Sequence, residues 1–200
     1  MIVVTGSARS GTSLMMQTLK LLDVPIEGHK FHDDFPVKAS NPKGYYDLPF
    51  DVIRQGLGDE YIGKAVKLLG EWLPYTNPSN LTHAIVCKRR DIRAQDHSVL
   101  RCLKLETEVE SPSEIRKKLL EMCLQMTPDQ ISERRRNNYE LIESYLTQLQ
   151  GYCMDVYYED MIYNPKETIQ EIKEFVDSEA SIDAAVNNVD RSFKNEEVSI

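Results

Sequence analysis

The chain opens on an unbroken β-branched run, Ile2-Val3-Val4-Thr5, that ends in Gly6. Its length and composition predict a buried strand. Over residues 13–22 the apolar positions Leu14, Met15, Leu19 and Leu22 recur at helical spacing, and Pro25 closes that unit. Residues 26–47 carry His29, His32, Asp33, Asp34, two prolines and the turn sequence Asn41-Pro42-Lys43-Gly44, so they predict a loop-rich stretch. A helix is expected over 48–56, a short strand or extended segment over 61–67, and a loop over 74–80. Ala84-Ile85-Val86-Cys87 predicts a second buried strand over 83–88, and Asp91 stands where the N-cap of a helix to about Leu103 belongs. Residues 105–112 read as an acidic linker or helix start.

Helices are expected over 113–126 and 128–149. The second carries Ile131, Tyr139, Ile142, Tyr145, Leu146 and Leu149 on its apolar face and stops at Gly151. Residues 152–158 predict a third strand. Asn164-Pro165 then opens a helix with Ile169, Ile172, Phe175 and Val176 on one side. After residue 180 the chain is polar and defines no element. Strands alternating with helices predict an α/β fold around a mainly parallel sheet, in one domain over 1–200.

Composition narrows the function classes. The 200 residues are 41% apolar and 28% charged, which suits one globular domain and neither a membrane protein nor a disordered chain. No apolar run approaches the ~20 residues of a membrane span. Met1 is followed directly by the strand run rather than by a basic segment and a cleavage site, so no secretory signal and a cytoplasmic location are expected. Cys87, Cys102, Cys123 and Cys153 are widely spaced with no Cys-x-x-Cys pair; reduced, mostly buried thiols and no metal site are expected. A net charge of −8 disfavours nucleic acid and anionic membranes as partners. An anionic ligand would need a local basic pocket. The run Lys88-Arg89-Arg90 with Arg93 offers one, whereas Arg134-Arg135-Arg136 reads as a solvated helix face.

The chemistry concentrates where the first strand meets the first helix, in Gly6-Ser7-Ala8-Arg9-Ser10-Gly11-Thr12-Ser13. Glycines let the backbone approach an anion and turn its N–H groups inward, and the helix N-terminus adds unpaired N–H groups and the positive end of its dipole. A Walker A loop would place lysine where Thr12 stands. The cation is offered three residues earlier, by Arg9, and no apolar run ending in Asp supplies a magnesium-binding strand end. The loop suits an anion but poorly suits magnesium–ATP.

A second element begins at Arg90, with Ser98 eight residues later, two helical turns into the next helix. An arginine fork at a strand end grips a dianion with paired N–H bonds, and the serine faces the same side. With these two elements the sequence resembles the sulfotransferase family. Ala8-Arg9-Ser10-Gly11-Thr12-Ser13 is similar to that family's 5′-phosphosulfate loop, with Ala8 in place of the usual proline. Arg90 and Ser98 match its 3′-phosphate pair, with Ile92 where many members have proline. Tyr158-Glu159-Asp160-Met161 and Asn164-Pro165-Lys166-Glu167 resemble the late strand–turn–helix of cytosolic members, whose tyrosine lies against adenine. Asn41-Pro42-Lys43-Gly44-Tyr45-Tyr46-Asp47 resembles a segment of bacterial members, and Lys64 and Lys67 stand at the basic ends of a Lys-Asp-Pro-Arg run found there. The likeness covers about residues 2–177, is thin over 104–150, and lacks the glycine-rich C-terminal motif of the cytosolic enzymes.

The resemblance implies a P-loop NTPase-like, three-layer α/β/α fold. It also implies transfer of a sulfuryl group from 3′-phosphoadenosine 5′-phosphosulfate to a hydroxyl or amine, without a metal. Ser7, Arg9, Ser10, Gly11, Thr12, Ser13, Arg90, Ser98 and Tyr158 are the expected cofactor residues. Arg9 is also expected to stabilise the leaving phosphate. Glu27-Gly28-His29-Lys30-Phe31 resembles a segment of heparan sulfate sulfotransferases whose glutamate is the base, which makes Glu27 the first candidate base, His29 the second and Asp33 a third. The acceptor stays open among small molecules, glycans and peptides, with the 26–47 loop and a helical insertion over 104–150 expected to shape its pocket. Two alternatives remain at this point: a P-loop small-molecule or nucleoside kinase, and a non-catalytic nucleotide-binding module on a degenerate sulfotransferase fold.

Overall fold

The computed structural model describes residues 1–31, 41–107, 121, 125–148 and 151–189. The expected helix over 113–126 lies mostly outside them, and the candidate base Asp33 wholly so. The strands are β1 (Ile2–Gly6), β2 (Ile26–Glu27), β3 (Ala65–Lys67), β4 (His83–Lys88) and β5 (Tyr152–Tyr157). The helices are α1 (Thr12–Leu21), α2 (Phe50–Gln55), α3 (Ile92–Thr107), α4 (Pro128–Leu146), α5 (Tyr158–Tyr163), α6 (Pro165–Phe175) and α7 (Asp183–Asn188).

All the strands join one sheet in the order β2-β3-β1-β4-β5, and every pairing is parallel. The β1 run is continuously apolar because β1 is central and covered on both faces. Successive residues point to opposite sides. Ile2, Val4, Ile85, Cys87 and Val156 pack under α1 and α6 with Met16, Leu19, Ile169 and Ile172. Val3, Val66, Ala84 and Val86 face the other way, against Ile53 of α2, Leu73 of the short turn Gly70–Tyr75, and Ile142 of α4. No described helix is long and apolar enough to cross a membrane.

Several boundaries follow chemistry that periodicity does not carry. Asp91 caps α3 as expected, its Oδ1 accepting from the Ala94 N–H at 2.9 Å. Thr127 and Gln130 form a reciprocal capping box that starts α4. β2 falls inside the stretch read as loop; two residues show no alternation, and only the pairings Ile26↔Ala65 and Glu27↔Val66 with β3 make them a strand. The last strand stops at Tyr157, since Tyr158 already begins α5. In the polar tail α7 forms because Ala185 and Val189 reach the core. Arg135 is not solvated with its neighbours: it is buried, and its guanidinium bonds to Asp96 and to the Ile92 carbonyl. Nor are the thiols among the described residues mostly buried. Cys87 is, and burial pushes it up to about 12, but Cys102 is half-buried and Cys153 exposed.

The chain leaves β1 toward β2 and β3 on one side and returns across it to β4 on the other. This reversal beside β1 opens a crevice at the carboxyl ends of the strands, the usual ligand position in open parallel sheets. The core on the α1 side is tight enough that Ile85→Ala, at a fully buried position, is expected to cost about 2–5 kcal/mol. Urea unfolding checks this as a lower midpoint at unchanged slope.

Candidate functional site: an anion cradle beside an apolar wall

The loop from β1 to α1 is folded by close approach. Gly6 has φ 154°, and a Cβ there would lie 2.4 Å from Ser10 Oγ and 2.5 Å from the Cys87 carbonyl of β4, so only glycine lets the loop turn against the neighbouring strand. Gly11, at φ 104°, caps α1 with no side-chain hydrogen bond, and a Cβ there would lie 3.0 Å from the Tyr158 ring. Arg9 sits at φ 62°, a left-handed conformation that costs an L residue on the order of 1 kcal/mol. Its Nε donates to Ser98 Oγ of α3 at 3.0 Å. Gln95, one turn earlier on α3, donates to the Ala8 carbonyl at 2.8 Å and clamps the loop from the same side. Behind it, Tyr139 of α4 donates to the Cys87 carbonyl at 3.1 Å, and burial raises its pKa.

The loop borders a cavity of about 400 Å³. Arg9, Gly11, Thr12, Ser13, Ser98 and Tyr158 line it, as expected from the sequence. Ser7 instead lines a smaller cavity behind the loop, toward α3 and α4, and Ser10 is buried without lining the main one.

Arg90 does not reach the cavity. Its guanidinium makes a bidentate pair with Asp160 at 2.6 and 2.7 Å and lies 4.2 Å from the centre of the Tyr157 ring. That pair raises the Arg90 pKa and lowers that of Asp160. Arg89 lines the cavity instead. It continues the parity of Ile85 and Cys87, so it points to the α1 side, where it lies 4.5 Å over the Tyr158 ring with only 9% of its side chain exposed. Its buried Nε has no hydrogen-bond partner among the described residues, and Glu159 is 3.8 Å away. The Glu159 carboxylate meanwhile accepts from the N–H groups of Arg90 and Asp91, which holds the chain in the turn that separates the two arginines.

Neither leading base candidate lines the cavity. Glu27 pairs with Lys64 at 2.9 Å on the surface, and His29 is exposed, its backbone N–H donating to the Asp47 carbonyl. Among the described residues the acid that does line it is Asp47. Its Oδ1 is 2.7 Å from the ammonium of Lys67, which is 4% exposed. Lys67 also donates to Ser13 Oγ at 3.2 Å and the Tyr45 carbonyl at 2.6 Å. Burial lowers the Lys67 pKa, and the Asp47 charge opposes that shift. Lys67 therefore brings to the first turn of α1 the positive charge that Thr12 cannot carry.

The segment holding Asp47 is tied down by α1. Gln17 donates to the Gly44 carbonyl at 3.0 Å, and the Lys43 ammonium bonds to the Asn188 carbonyl at the end of α7. Past Asp47 the cavity wall turns apolar through Leu48, Pro49, Phe50, Ile53, Leu68 and Trp72. Among the described residues of 104–150 none lines this cavity; α4 covers the sheet instead. Arg89 and Asp47 both stood in segments the sequence singled out, but strand parity past Lys88 and the contact with Lys67 were needed to select them. The chain matches no family model and no curated protein, so its chemistry is read from this geometry.

Lys67→Ala would leave Asp47 beside the loop without its counter-charge. A fully buried pair loses about 3–5 kcal/mol when broken in this way. With Asp47 still 28% exposed, about 2–3 kcal/mol is expected. Lys64→Ala, at the surface pair, should leave the urea midpoint unchanged.

Proposed function

We propose that this chain is a sulfotransferase that takes the sulfuryl group from 3′-phosphoadenosine 5′-phosphosulfate and transfers it to an acceptor hydroxyl, on a P-loop NTPase-like fold. The observation that carries it is the hydrogen bond from Arg9 to Ser98. It joins two motifs 89 residues apart at the edge of one cavity. The donor is anionic at both ends, and the residues present fit it. The Arg9–Ser13 loop with Lys67 would hold the 5′-phosphosulfate. Arg89, whose buried Nε has no hydrogen-bond partner among the described residues, and Ser98 would hold the 3′-phosphate, in place of the pair Arg90 and Ser98. Tyr158, beneath the Arg89 guanidinium, would lie against the base.

When bound, the donor supplies an activated sulfuryl group whose leaving group is 3′-phosphoadenosine 5′-phosphate. The chain's own work is to hold the leaving oxygen among cations and N–H groups, to orient the acceptor in line, and to accept its proton. Arg9, pre-bonded to Ser98, and Lys67, fixed by Asp47 and the Tyr45 carbonyl, meet the charge that develops on the phosphate without reorganising.

Thermal shift with 3′-phosphoadenosine 5′-phosphate, adenosine 5′-phosphate and magnesium–ATP tests this. The bisphosphate should raise the melting point most, since ligand at a hundred times its Kd adds about 2.7 kcal/mol to stability. Arg9→Ala should abolish the shift. Arg89→Ala should erase the preference for the bisphosphate over the monophosphate, and Arg90→Ala should keep it. Tighter binding of magnesium–ATP would mark a kinase, and bisphosphate binding without transfer to any hydroxyl acceptor would mark a binding module.

A further inference from the structure

The apolar half of the cavity is unassigned by the nucleotide. Asp47 is followed directly by Leu48, Pro49 and Phe50, so one short segment supplies both a carboxylate and an apolar wall. Phe50 stands edge-on to Trp72, with ring centres 4.7 Å apart and planes at 80°, and Trp72 lies 5.9 Å from Tyr75. Phe50 is nonetheless 50% exposed, an arrangement that leaves ring surface open beside the cavity. Leu68 and Ile53, both buried, back this wall.

A sugar needs several side-chain donors and acceptors, and a site that leaves its hydroxyls unpaired rejects it. Among the described residues the wall beyond Asp47 offers a single side-chain donor, the indole N–H of Trp72, and no side-chain acceptor. The amide side chains that line the cavity among the described residues are tied to the protein: Gln17 bonds to Gly44 and Asn41, Asn41 also bonds to Gly44, and Asn188 bonds to Gln17. Lys43 is held by the Asn188 carbonyl. The carboxylate of Asp47, by contrast, has one oxygen on Lys67 and remains 28% exposed at the cavity. Lys67 touches Ser13 at the same time, so the acid and the phosphate-facing loop are bridged by one ammonium.

We infer that the acceptor is an apolar, ring-bearing alcohol, that Phe50 and Trp72 hold its ring, and that Asp47 is the base for its hydroxyl; the inference rests on the donor assignment above. In the transfer, the acceptor proton passes to the Asp47 carboxylate as the acceptor oxygen bonds to sulfur. The bond from sulfur to the 5′-phosphate oxygen breaks, and that oxygen keeps the electron pair. Lys67 is a positioning residue, holding Asp47 and the loop at a fixed separation.

Trp72 is the only tryptophan in the chain, so its fluorescence reads this wall alone. 4-Nitrophenol absorbs where tryptophan emits and serves as the probe, titrated into protein saturated with 3′-phosphoadenosine 5′-phosphate. Saturable quenching is expected, weakened at least tenfold by Phe50→Ala, and N-acetylglucosamine at equal concentration should not displace the probe. Asp47→Asn should leave the quenching titration within threefold. It should slow transfer from 3′-phosphoadenosine 5′-phosphosulfate to benzyl alcohol, whose hydroxyl keeps its proton at neutral pH, by about 10²–10⁴-fold, the range a positioned base supplies. If Asp47→Asn fails to fold over the unpaired lysine, Asp47→Glu keeps the counter-charge of Lys67 and displaces the carboxylate by one methylene, and it carries both arms: quenching should persist while transfer slows, and weakened quenching there would count against the ring site.

Bisphosphate binding combined with no quenching, or with displacement by the sugar, overturns the acceptor class and leaves the donor assignment standing. Full transfer rate in Asp47→Asn overturns the base. No bisphosphate shift, even with quenching intact, overturns the donor assignment and the transfer step together.

Discussion

The ammonium of Lys67 is the point on which the site turns. It ends a three-residue strand, is almost fully enclosed, and is shared among Asp47, Ser13 and the Tyr45 carbonyl. A buried lysine is tolerable only when its charge is matched and its donors are used. Here the match draws three separate pieces together: β3, the 41–47 segment and the first turn of α1. Without that charge the segment would have no polar reason to lie against the loop, and the cavity would lose one wall.

The second constraint is steric. Gly6 lets the loop pass within contact of the Cys87 carbonyl, and Gly11 lets the Tyr158 ring sit on the helix start. The loop is then clamped by α3 through Arg9–Ser98 and Gln95–Ala8. Charge enters from three strand ends: Arg9 after β1, Lys67 at the end of β3 and Arg89 after β4. In a parallel sheet these ends share one edge, so a protein of net charge −8 still gathers cations around a single cavity.

Two neighbouring arginines illustrate how position decides chemistry. Arg89 and Arg90 are identical in type and adjacent in sequence, yet one stacks on Tyr158 inside the cavity and the other is neutralised by Asp160 outside it. Glu159 separates them by gripping the backbone N–H groups of residues 90 and 91. Guanidinium groups suit both roles, stacking and bidentate pairing; only the turn determines which arginine has which.

Much of this was legible along the chain. The β1 run, the loop from Gly6 to Ser13, the helical spacing after it, the second strand and the Asp91 cap follow from local chemistry, because burial on both faces and helix capping leave marks within a few residues. So did the presence of a basic cluster at the end of β4. What the chain alone could not decide was pairing across distance. β2 exists only through β3. Asp47 rather than Glu27 or His29 lines the cavity because Lys67 draws it there, and Arg89 rather than Arg90 faces it because of strand parity and Glu159. Arg135, read as solvated, is buried because Asp96 on another helix receives it. Local sequence determines which groups are available; long-range contacts select among them, since a charge one residue away on a strand points to the opposite face.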